Sequence, residues 1–207
     1  MAFKLQMFSD FICPFCYIGF RTARKIAPEL GFEIEWRSFQ IHPEWPAEGM
    51  PASEYRRAMD PETRRAIWAR IEAMAEAAGF TMKSPEVLAN SRLALEANEF
   101  AGECGRQADF EERVYKDYFN QGLNIGVRGV VMDLAAEAGI DRADLDAALD
   151  SGRYSMRLKN NALIARQRGV DGVPTFFLGD YPLVGAQSED VMRQILGRYA
   201  QKLSSAE

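Results

Sequence analysis

Two strand patterns separated by a helical pattern open the chain, and this order restricts the possible folds more than any other feature. Segments 3–7 and 32–37 alternate apolar and polar residues, which indicates half-buried strands. Between them, apolar residues recur at helical spacing over residues 16–30. Pro28 and Gly31 predict the end of that helix. A strand, a helix and a strand in this order are typical of a βαβ unit with parallel strands.

Two of the three cysteines stand where the predicted helix begins, in the stretch "SDFICPFCYIGF" at residues 9–20. Cys13 falls at the N-cap, and Pro14 takes the first helical position, where its missing N–H costs nothing. Cys16 follows on the inner face. A helix N-terminus offers unpaired N–H groups and a partial positive charge, which stabilise a thiolate. We therefore predict that Cys13 is a nucleophile and Cys16 a resolving thiol.

The middle of the chain shows helical patterns and no convincing strand. A connector rich in proline, residues 40–51, leads into it. Asp60-Pro61 is predicted to open one helix, and Ser84-Pro85-Glu86 another. Further helices are predicted at 110–119, 130–138 and 145–149.

Strand character returns near the end of the chain. After a helix predicted at 153–168, the segments Thr175–Leu178 and Tyr181–Val184 flank Gly179-Asp180, a favourable two-residue hairpin turn. Ser188 is predicted to cap a final helix.

These patterns predict the α/β class, with a thioredoxin-like fold interrupted by an all-helical insertion. Residues 1–45 and 151–207 would form the discontinuous thioredoxin-like domain, and residues 46–150 the insertion domain.

Charge and the N-terminal segment bear on the setting in which this chain works. The net charge of −5 favours neither nucleic acid nor an anionic membrane surface as a partner. The N-terminus lacks an apolar run of signal-peptide length, and no stretch is long enough to span a membrane. We therefore expect a cytoplasmic location. In that reducing compartment a close cysteine pair is typically catalytic or metal-binding rather than a structural disulfide.

Three stretches carry a family resemblance: "SDFICPFCYIG", "YFNQGLNIG" with "LAAEAGID", and "GVDGVPTFFLGDYPLVGAQ". With them the chain resembles the DsbA family of thioredoxin-like proteins, and within it the FrnE-like subgroup. That subgroup is related to 2-hydroxychromene-2-carboxylate isomerase and kappa-class glutathione transferase. The resemblance covers nearly the whole chain and implies a protein-disulfide oxidoreductase.

The resemblance also implies roles for two residues near the cysteine pair. Val173 and Pro174 would be joined by a cis peptide bond beside the cysteines and would pair with an extended substrate by strand addition. Phe15, which lies between the cysteines, is expected to be exposed and is a further candidate for substrate contact. Strongly oxidising members of the family carry a histidine at that position.

Several interpretations of the cysteines compete with a redox dithiol. A zinc site could use Cys13, Cys16, Cys104 and His42, but no second Cys-x-x-Cys supports it, and we expect no metal. A structural disulfide and inert core thiols are the other two. The helix cap, the spacing and the distant proline loop favour the redox dithiol.

Three further residues carry less specific signals. Asp10 is either a proton acceptor for Cys16 or a turn residue at the strand end. His42, the only histidine, is expected at the surface or in packing. Cys104 is expected to be a bystander that an oxidant could reach when exposed.

Three hypotheses about function follow. The first is an oxidoreductase that exchanges disulfides with a protein or a small-molecule thiol and has no cofactor. The second is a glutathione-dependent enzyme, either glutaredoxin-like or of the isomerase and transferase type, with glutathione as co-substrate. Such isomerases and transferases typically carry serine where Cys13 stands, which counts against it. The third is a binding protein or redox sensor without turnover.

Overall fold

The computed structural model describes residues 3–204, which form one mixed β-sheet, one short two-stranded ribbon and a set of helices. The strands are β1 (Phe3–Ser9), β2 (Phe32–Ser38), β3 (Met50–Pro51), β4 (Val87–Leu88), β5 (Thr175–Leu178) and β6 (Tyr181–Val184). The α-helices are α1 (Pro14–Ile26), α2 (Ala52–Tyr55), α3 (Pro61–Ala77), α4 (Arg92–Glu103), α5 (Gln107–Lys116), α6 (Arg128–Glu137), α7 (Arg142–Asp150), α8 (Arg153–Gln167) and α9 (Glu189–Ser204). No helix within these residues is both long and apolar enough to cross a lipid bilayer.

The four-stranded sheet has the order β2-β1-β5-β6. β1 and β2 pair in parallel, from Phe3 opposite Phe32 to Ser9 opposite Ser38. This confirms the βαβ unit predicted from the sequence. β5 pairs antiparallel with both β1 and β6.

The hairpin of β5 and β6 turns at the predicted residues. Gly179 has a φ of 59°, in the left-handed region that favours glycine at such a turn. β5 is buried along its whole length. β6 forms the open edge of the sheet, where Tyr181 and Val184 are exposed and Pro182 lies between them.

Helix α1 begins and ends as the sequence predicts. Cys13 is its N-cap, with an extended backbone, and Pro14 is its first residue. The helix gives way to a short 3₁₀ turn at Pro28–Leu30, and Gly31 follows with a φ of 78°. The N-terminal end of α1 is therefore set by proline geometry at the point where the cysteines lie.

The insertion contains a strand pair that the sequence analysis missed. The prediction of a helix that starts at Ser84-Pro85-Glu86 is wrong, because the following residues form β4, which pairs antiparallel with β3. The Ala52 N–H also donates to the Glu86 carbonyl at 2.8 Å. The helix α4 starts later, where the Asn90 side chain accepts from the Arg92 N–H at 3.0 Å. The rest of the insertion is helical, and Asp60 caps α3 as predicted.

One cluster of buried apolar side chains extends through both parts of the chain. It includes Met7 and Phe20 from the βαβ unit, Tyr115 and Leu134 from the insertion, and Met192 from α9. The insertion therefore contributes to the core on one face of the central strand β1. On the other face, Phe8 packs in a second, smaller cluster with Ala165, Val170 and Phe177.

The division into a domain of residues 1–45 and 151–207 and an insertion domain of 46–150 stays a prediction. Its outer limits, residues 1–2 and 205–207, lie outside the described residues.

Candidate active site

The two cysteines at the start of α1 are both free thiols, and they differ in exposure. Cys13 keeps 6% of its surface exposed, whereas Cys16 has none. The Cys13 N–H donates to the Asp10 carbonyl at 3.2 Å, and the Cys13 carbonyl accepts from the N–H groups of Cys16 and Tyr17. These bonds fix the first turn of the helix, so that only Cys13 reaches solvent.

The loop before β5 lies directly against Cys13. The peptide bond between Val173 and Pro174 is cis, as the family resemblance implies. The Cys13 thiol donates to the Val173 carbonyl at 3.5 Å, and Pro174 is buried. A Cβ on Gly19 would lie 3.2 Å from the Pro174 ring, so glycine permits this close approach of α1 to the loop.

The surroundings of Cys16 keep it protonated. Burial raises the pKa of the Cys16 thiol well above its usual range, and the neighbouring Cys13 raises it further. The Ser9 hydroxyl and the Asp10 backbone N–H also contact this thiol and act in the opposite direction. The exposed member of the pair is therefore the one suited to react first.

A buried pair of hydroxyl groups extends from Cys16 into the insertion. The hydroxyl oxygens of Ser9 and Tyr115 lie 2.9 Å apart, and the Tyr115 hydroxyl donates to the Asp10 carbonyl at 3.2 Å. The Tyr115 ring stacks on Tyr17 at 4.9 Å. The sequence pattern predicts neither hydroxyl, because it indicates an ordinary buried helix residue at Tyr115.

The carboxylate of Asp10 is turned towards the connector rather than towards Cys16. Its oxygens accept from the N–H groups of Ile12 at 3.3 Å and Ile41 at 2.8 Å. The Ser91 hydroxyl approaches without reaching hydrogen-bond geometry. Burial raises the pKa of Asp10 to about 6. Proton transfer from Cys16 to Asp10 stays a prediction, because Cys16 meets the backbone N–H of Asp10.

The remaining candidates are dispersed. His42 contacts Glu44 at 2.8 Å and stacks on Trp45 at 4.0 Å. Cys104 is exposed at the end of α4, where burial of its sulfur and the nearby Asp144 raise its pKa. Within residues 3–204 no group of three or more His, Cys, Asp and Glu side chains could hold a metal ion. The alternative Cys₃His set is therefore not assembled there.

An apolar cavity of about 220 Å³ adjoins the cysteine motif. Phe15 is half-buried and forms part of its wall, which differs from the exposed position expected for it. The cavity is lined by Ile12, Pro14, Phe15, Trp45, Tyr55, Arg56, Met59, Arg64, Ile67, Trp68, Ile71, Pro85, Leu88 and Phe119. A substrate bound to Cys13 would thus meet mainly apolar side chains on this side.

Comparison with known proteins gives one family and several relatives. Residues 4–197 match the family model of the DSBA-like thioredoxin domain. The uncharacterized protein YwbO of Bacillus subtilis is 28% identical over 200 residues, which cover 95% of this chain and 96% of that protein.

Solved structures share the fold over nearly the whole chain. A probable DsbA oxidoreductase, SCO1869 of Streptomyces coelicolor, superposes with a TM-score of 0.86 at 26% identity, covering 96% of this chain and 90% of that one. A 2-hydroxychromene-2-carboxylate isomerase superposes with a TM-score of 0.79 at 20% identity and covers 99% of both chains. The cytosolic disulfide reductase DsbM of Pseudomonas aeruginosa, solved with GSH, gives a TM-score of 0.69 at 17% identity and covers 98% of both. The last two similarities concern the fold.

Proposed function

Because this chain belongs to the family of DSBA-like thioredoxin domains, we propose that it is a thiol–disulfide oxidoreductase whose redox pair is Cys13 and Cys16. One observation carries the proposal. Cys13 caps α1, faces the Val173 carbonyl at 3.5 Å and is the more exposed of the two thiols. That arrangement suits a nucleophile beside a backbone surface for substrate.

The reaction proceeds in two exchanges. The Cys13 thiolate attacks one sulfur of a substrate disulfide, which forms a mixed disulfide and releases the other sulfur as a thiolate. Cys16 then loses its proton and attacks the Cys13 sulfur, which releases the second substrate thiol and leaves a Cys13–Cys16 disulfide. Two electrons pass from protein to substrate, and the reverse sequence oxidises a substrate dithiol. The backbone of Val173 pairs with an extended substrate during the exchange.

Trapping of the mixed disulfide tests this assignment. All variants carry Cys104→Ser, which removes the exposed third thiol. We expect Cys16→Ser to accumulate a mixed disulfide through Cys13, since the resolving attack is lost, and Cys13→Ser to accumulate none. Insulin reduction by the parent should be lost in both variants. Normal turnover by Cys16→Ser, or trapping through Cys16, would overturn the assignment.

A glutathione-dependent reaction is the second candidate, because DsbM, a protein of the same fold, has been solved with GSH. A dithiol cycle and a glutathione cycle differ in what Cys16→Ser can do. If glutathione is the co-substrate, this variant should turn over in the presence of glutathione, which resolves the Cys13 mixed disulfide from solution. Absence of turnover in both assays would favour the third hypothesis, a redox sensor.

We also propose a cytoplasmic location, where a reducing environment would keep the pair available as a dithiol. The name of DsbM describes that relative as cytosolic. Fractionation of cells that produce the protein would test this, and recovery outside the cytoplasmic fraction would contradict it.

A further inference from the structure

The cavity beside the cysteine motif is lined by residues from both parts of the chain. Pro14 and Phe15, which follow Cys13 directly, form one wall. Trp45 of the connector and Trp68 of α3 contribute aromatic surface to the lining. A molecule bound there would therefore contact both α1 and the insertion, beside Ile12 and Pro14, the two neighbours of Cys13 in the chain.

Size restricts what this cavity can hold. An apolar cavity of about 150 Å³ accommodates benzene, and this one measures about 220 Å³. Drug-sized ligands occupy pockets of roughly 300–1,000 Å³. A single substituted aromatic ring, or an aliphatic group of similar volume, matches the space.

Two arginines in this lining give it a positive charge. Arg56 and Arg64 are both half-buried, whereas the adjacent Arg57 and Arg65 are exposed. Burial and the nearby Arg64 lower the pKa of Arg56. The two cations are therefore close enough to repel each other in a site that is partly withdrawn from water.

No ion pair compensates this repulsion among the described residues. Arg56 donates to the Pro85 carbonyl at 3.1 Å, and neither guanidinium forms a salt bridge with a carboxylate of residues 3–204. Asp60 acts on Arg64 from a distance. Its carboxylate accepts from the Thr63 N–H at 2.8 Å as the cap of α3. The two arginines thus leave a place for an anion, although the protein as a whole has a charge of −5.

We infer that this cavity selects small organic thiols and disulfides that combine an apolar, ring-sized body with a carboxylate. The body fills the space lined by Phe15 and Trp68, the carboxylate pairs with Arg56 and Arg64, and the sulfur reaches Cys13. This inference rests on the proposed function, and it names the substrate class of the same site.

The exchange with such a disulfide balances without a further reactant. The Cys13 thiolate forms a bond to one substrate sulfur, and the substrate S–S bond breaks to release one aryl thiolate. The Cys16 thiolate then forms a bond to the Cys13 sulfur, and the second aryl thiolate leaves. Solvent takes the cysteine protons and supplies those of the products. The protein is oxidised and the substrate reduced by two electrons.

The test compares matched disulfides in single turnovers of the pre-reduced protein. The probes are bis(3-carboxyphenyl) disulfide, the neutral bis(3-carbamoylphenyl) disulfide and glutathione disulfide, which is anionic but lacks a ring. Each second-order rate constant is divided by the value for 2-mercaptoethanol, which removes differences in intrinsic reactivity. We expect the carboxyphenyl probe to react about tenfold faster than either of the others on this scale, since the half-buried charges are weakly screened.

Variants then locate the source of the selectivity. Arg56→Gln and Arg64→Gln should each lower the carboxylate-to-amide ratio about threefold or more. The matched controls Arg57→Gln and Arg65→Gln should leave the ratio unchanged. An equal loss in the controls would mean that general surface charge is responsible, and it would overturn the inference. A ratio of one in the parent protein, or equal reaction of glutathione disulfide, would also overturn it.

A second measurement needs no variant. On the parent protein, 3-phenylpropionate should slow alkylation of Cys13 by neutral iodoacetamide, and 3-phenylpropionamide should do so at least threefold less effectively at equal concentration. Equal protection by the two compounds would contradict a carboxylate site. If reduced Cys13 reacted with none of the three disulfides, the proposed function would fail. If it reacted with all three alike, only the substrate class would fail.

Discussion

At the level of single residues, the cysteine pair shows how a short stretch of sequence can place two thiols in different surroundings. Cys13 precedes the first turn of α1, and its sulfur is within reach of solvent and of the Val173 carbonyl. Cys16, one turn further, points into the core and is held protonated by burial. The same helix thus supplies one thiol at its end that solvent reaches and one thiol on its inner face that is shielded from solvent.

Phe15 offers Cys13 neither a charge nor a hydrogen bond, and we expect its replacement to change the redox potential. Phe15→His should make the protein a stronger oxidant, because an imidazolium would stabilise the thiolate of the reduced form. We expect the reduction potential of the parent to lie between that of DsbA, about −120 mV, and that of thioredoxin, about −270 mV. Equilibration with glutathione buffers measures both proteins, with Phe15→Leu as an uncharged control. A histidine variant that is equally or less oxidising would show that residue 15 does not set the potential.

The hydroxyl groups of Ser9 and Tyr115 can reverse their hydrogen bonds. While Cys16 is protonated, Ser9 can donate to Tyr115, and Tyr115 to the Asp10 carbonyl. When Cys16 becomes a thiolate, rotation of both O–H bonds lets Tyr115 donate to Ser9 and Ser9 donate to sulfur. The two hydroxyl groups can therefore stabilise a negative charge on the buried sulfur.

Removal of the tyrosine hydroxyl should slow the second exchange only. We expect Tyr115→Phe to release the second thiol of a disulfide probe about fivefold more slowly, since the lost bond to the Ser9 hydroxyl contributes about 1 kcal/mol. In this variant, the rate of the second release should also rise at a higher pH than in the parent. Stopped-flow absorbance separates the two releases. Tyr118→Phe is the control, because its hydroxyl faces the Val87 carbonyl at 3.5 Å. A slower first release, or an equal effect in the control, would argue for a merely structural role.

The positions of the two cysteines, one at the N-cap of α1 and one on its buried face, could be predicted from the sequence because they depend on a local helix start. The Ser9–Tyr115 contact could not, since it joins residues 106 positions apart. Asp10 lies between these cases. The sequence predicts its place at the end of β1. Its carboxylate, however, is oriented by the Ile41 N–H of the connector, which only the tertiary structure brings near.

At the level of elements, the helices α4 and α5 meet around a buried acid. Glu111 of α5 is 4% exposed and accepts from the Asn98 side chain of α4 at 3.2 Å. Burial raises the pKa of Glu111 to about 8. Oδ1 of Asn98 has no hydrogen-bond partner among the described residues. The contact between these helices is therefore best satisfied when Glu111 carries a proton.

This acid should make stability depend on pH. The folded pKa is raised, so the contribution of Glu111 is complete below its unfolded pKa of about 4.3. It is lost as the pH rises through about 8. The free energy of unfolding should fall by about 1.4 kcal/mol per pH unit in that interval. Glu111→Gln should remove the slope between pH 6.5 and 8 and make the protein more stable than the parent at pH 8, because the amide can also donate to Asn98. Below pH 6 a slope should remain, since burial raises the pKa of Asp10 to about 6.

Urea unfolding at pH 5, 6.5 and 8 measures the slope in parent and variant. The exposed Glu76→Gln serves as the control and should keep the slope of the parent. An unchanged slope in Glu111→Gln would show that other groups cause the loss of stability.

The elements themselves were largely predictable, because alternation, helical spacing, caps and the Gly179-Asp180 turn are local signals. The exception is the segment around Ser84-Pro85-Glu86. A serine, a proline and an acid in sequence favour a helix start. There the structure is determined instead by strand pairing with a segment far away in sequence, which joins Val87 and Leu88 to Pro51 and Met50. Short ribbons of this kind leave no periodic pattern.

At the level of the whole molecule, the insertion is tied to the active site through its aromatic side chains. Tyr115 contacts Phe11 and Trp36 as well as Tyr17. Phe119 also stacks on the Tyr17 ring. Sequence patterns separate the insertion along the chain and say nothing about this contact. The insertion also supplies Arg56 and Trp68 to the cavity. Substrate selection and the reactivity of Cys16 would therefore both change with substitutions in this part of the chain.

The outer edge of the sheet bears on how copies of this chain behave at high concentration. In a two-residue hairpin the closing residues exchange both backbone bonds, so the next pair, Phe177 and Pro182, is not hydrogen-bonded. The nitrogen of Pro182 thus faces outward, where proline has no hydrogen to offer. A neighbouring molecule finds no donor at the centre of this edge, and strand-to-strand aggregation is discouraged. Pro182→Thr restores the donor, and we expect sedimentation velocity to show more self-association than in the parent. If the parent and the variant were both monodisperse, another part of the edge would be responsible for the protection.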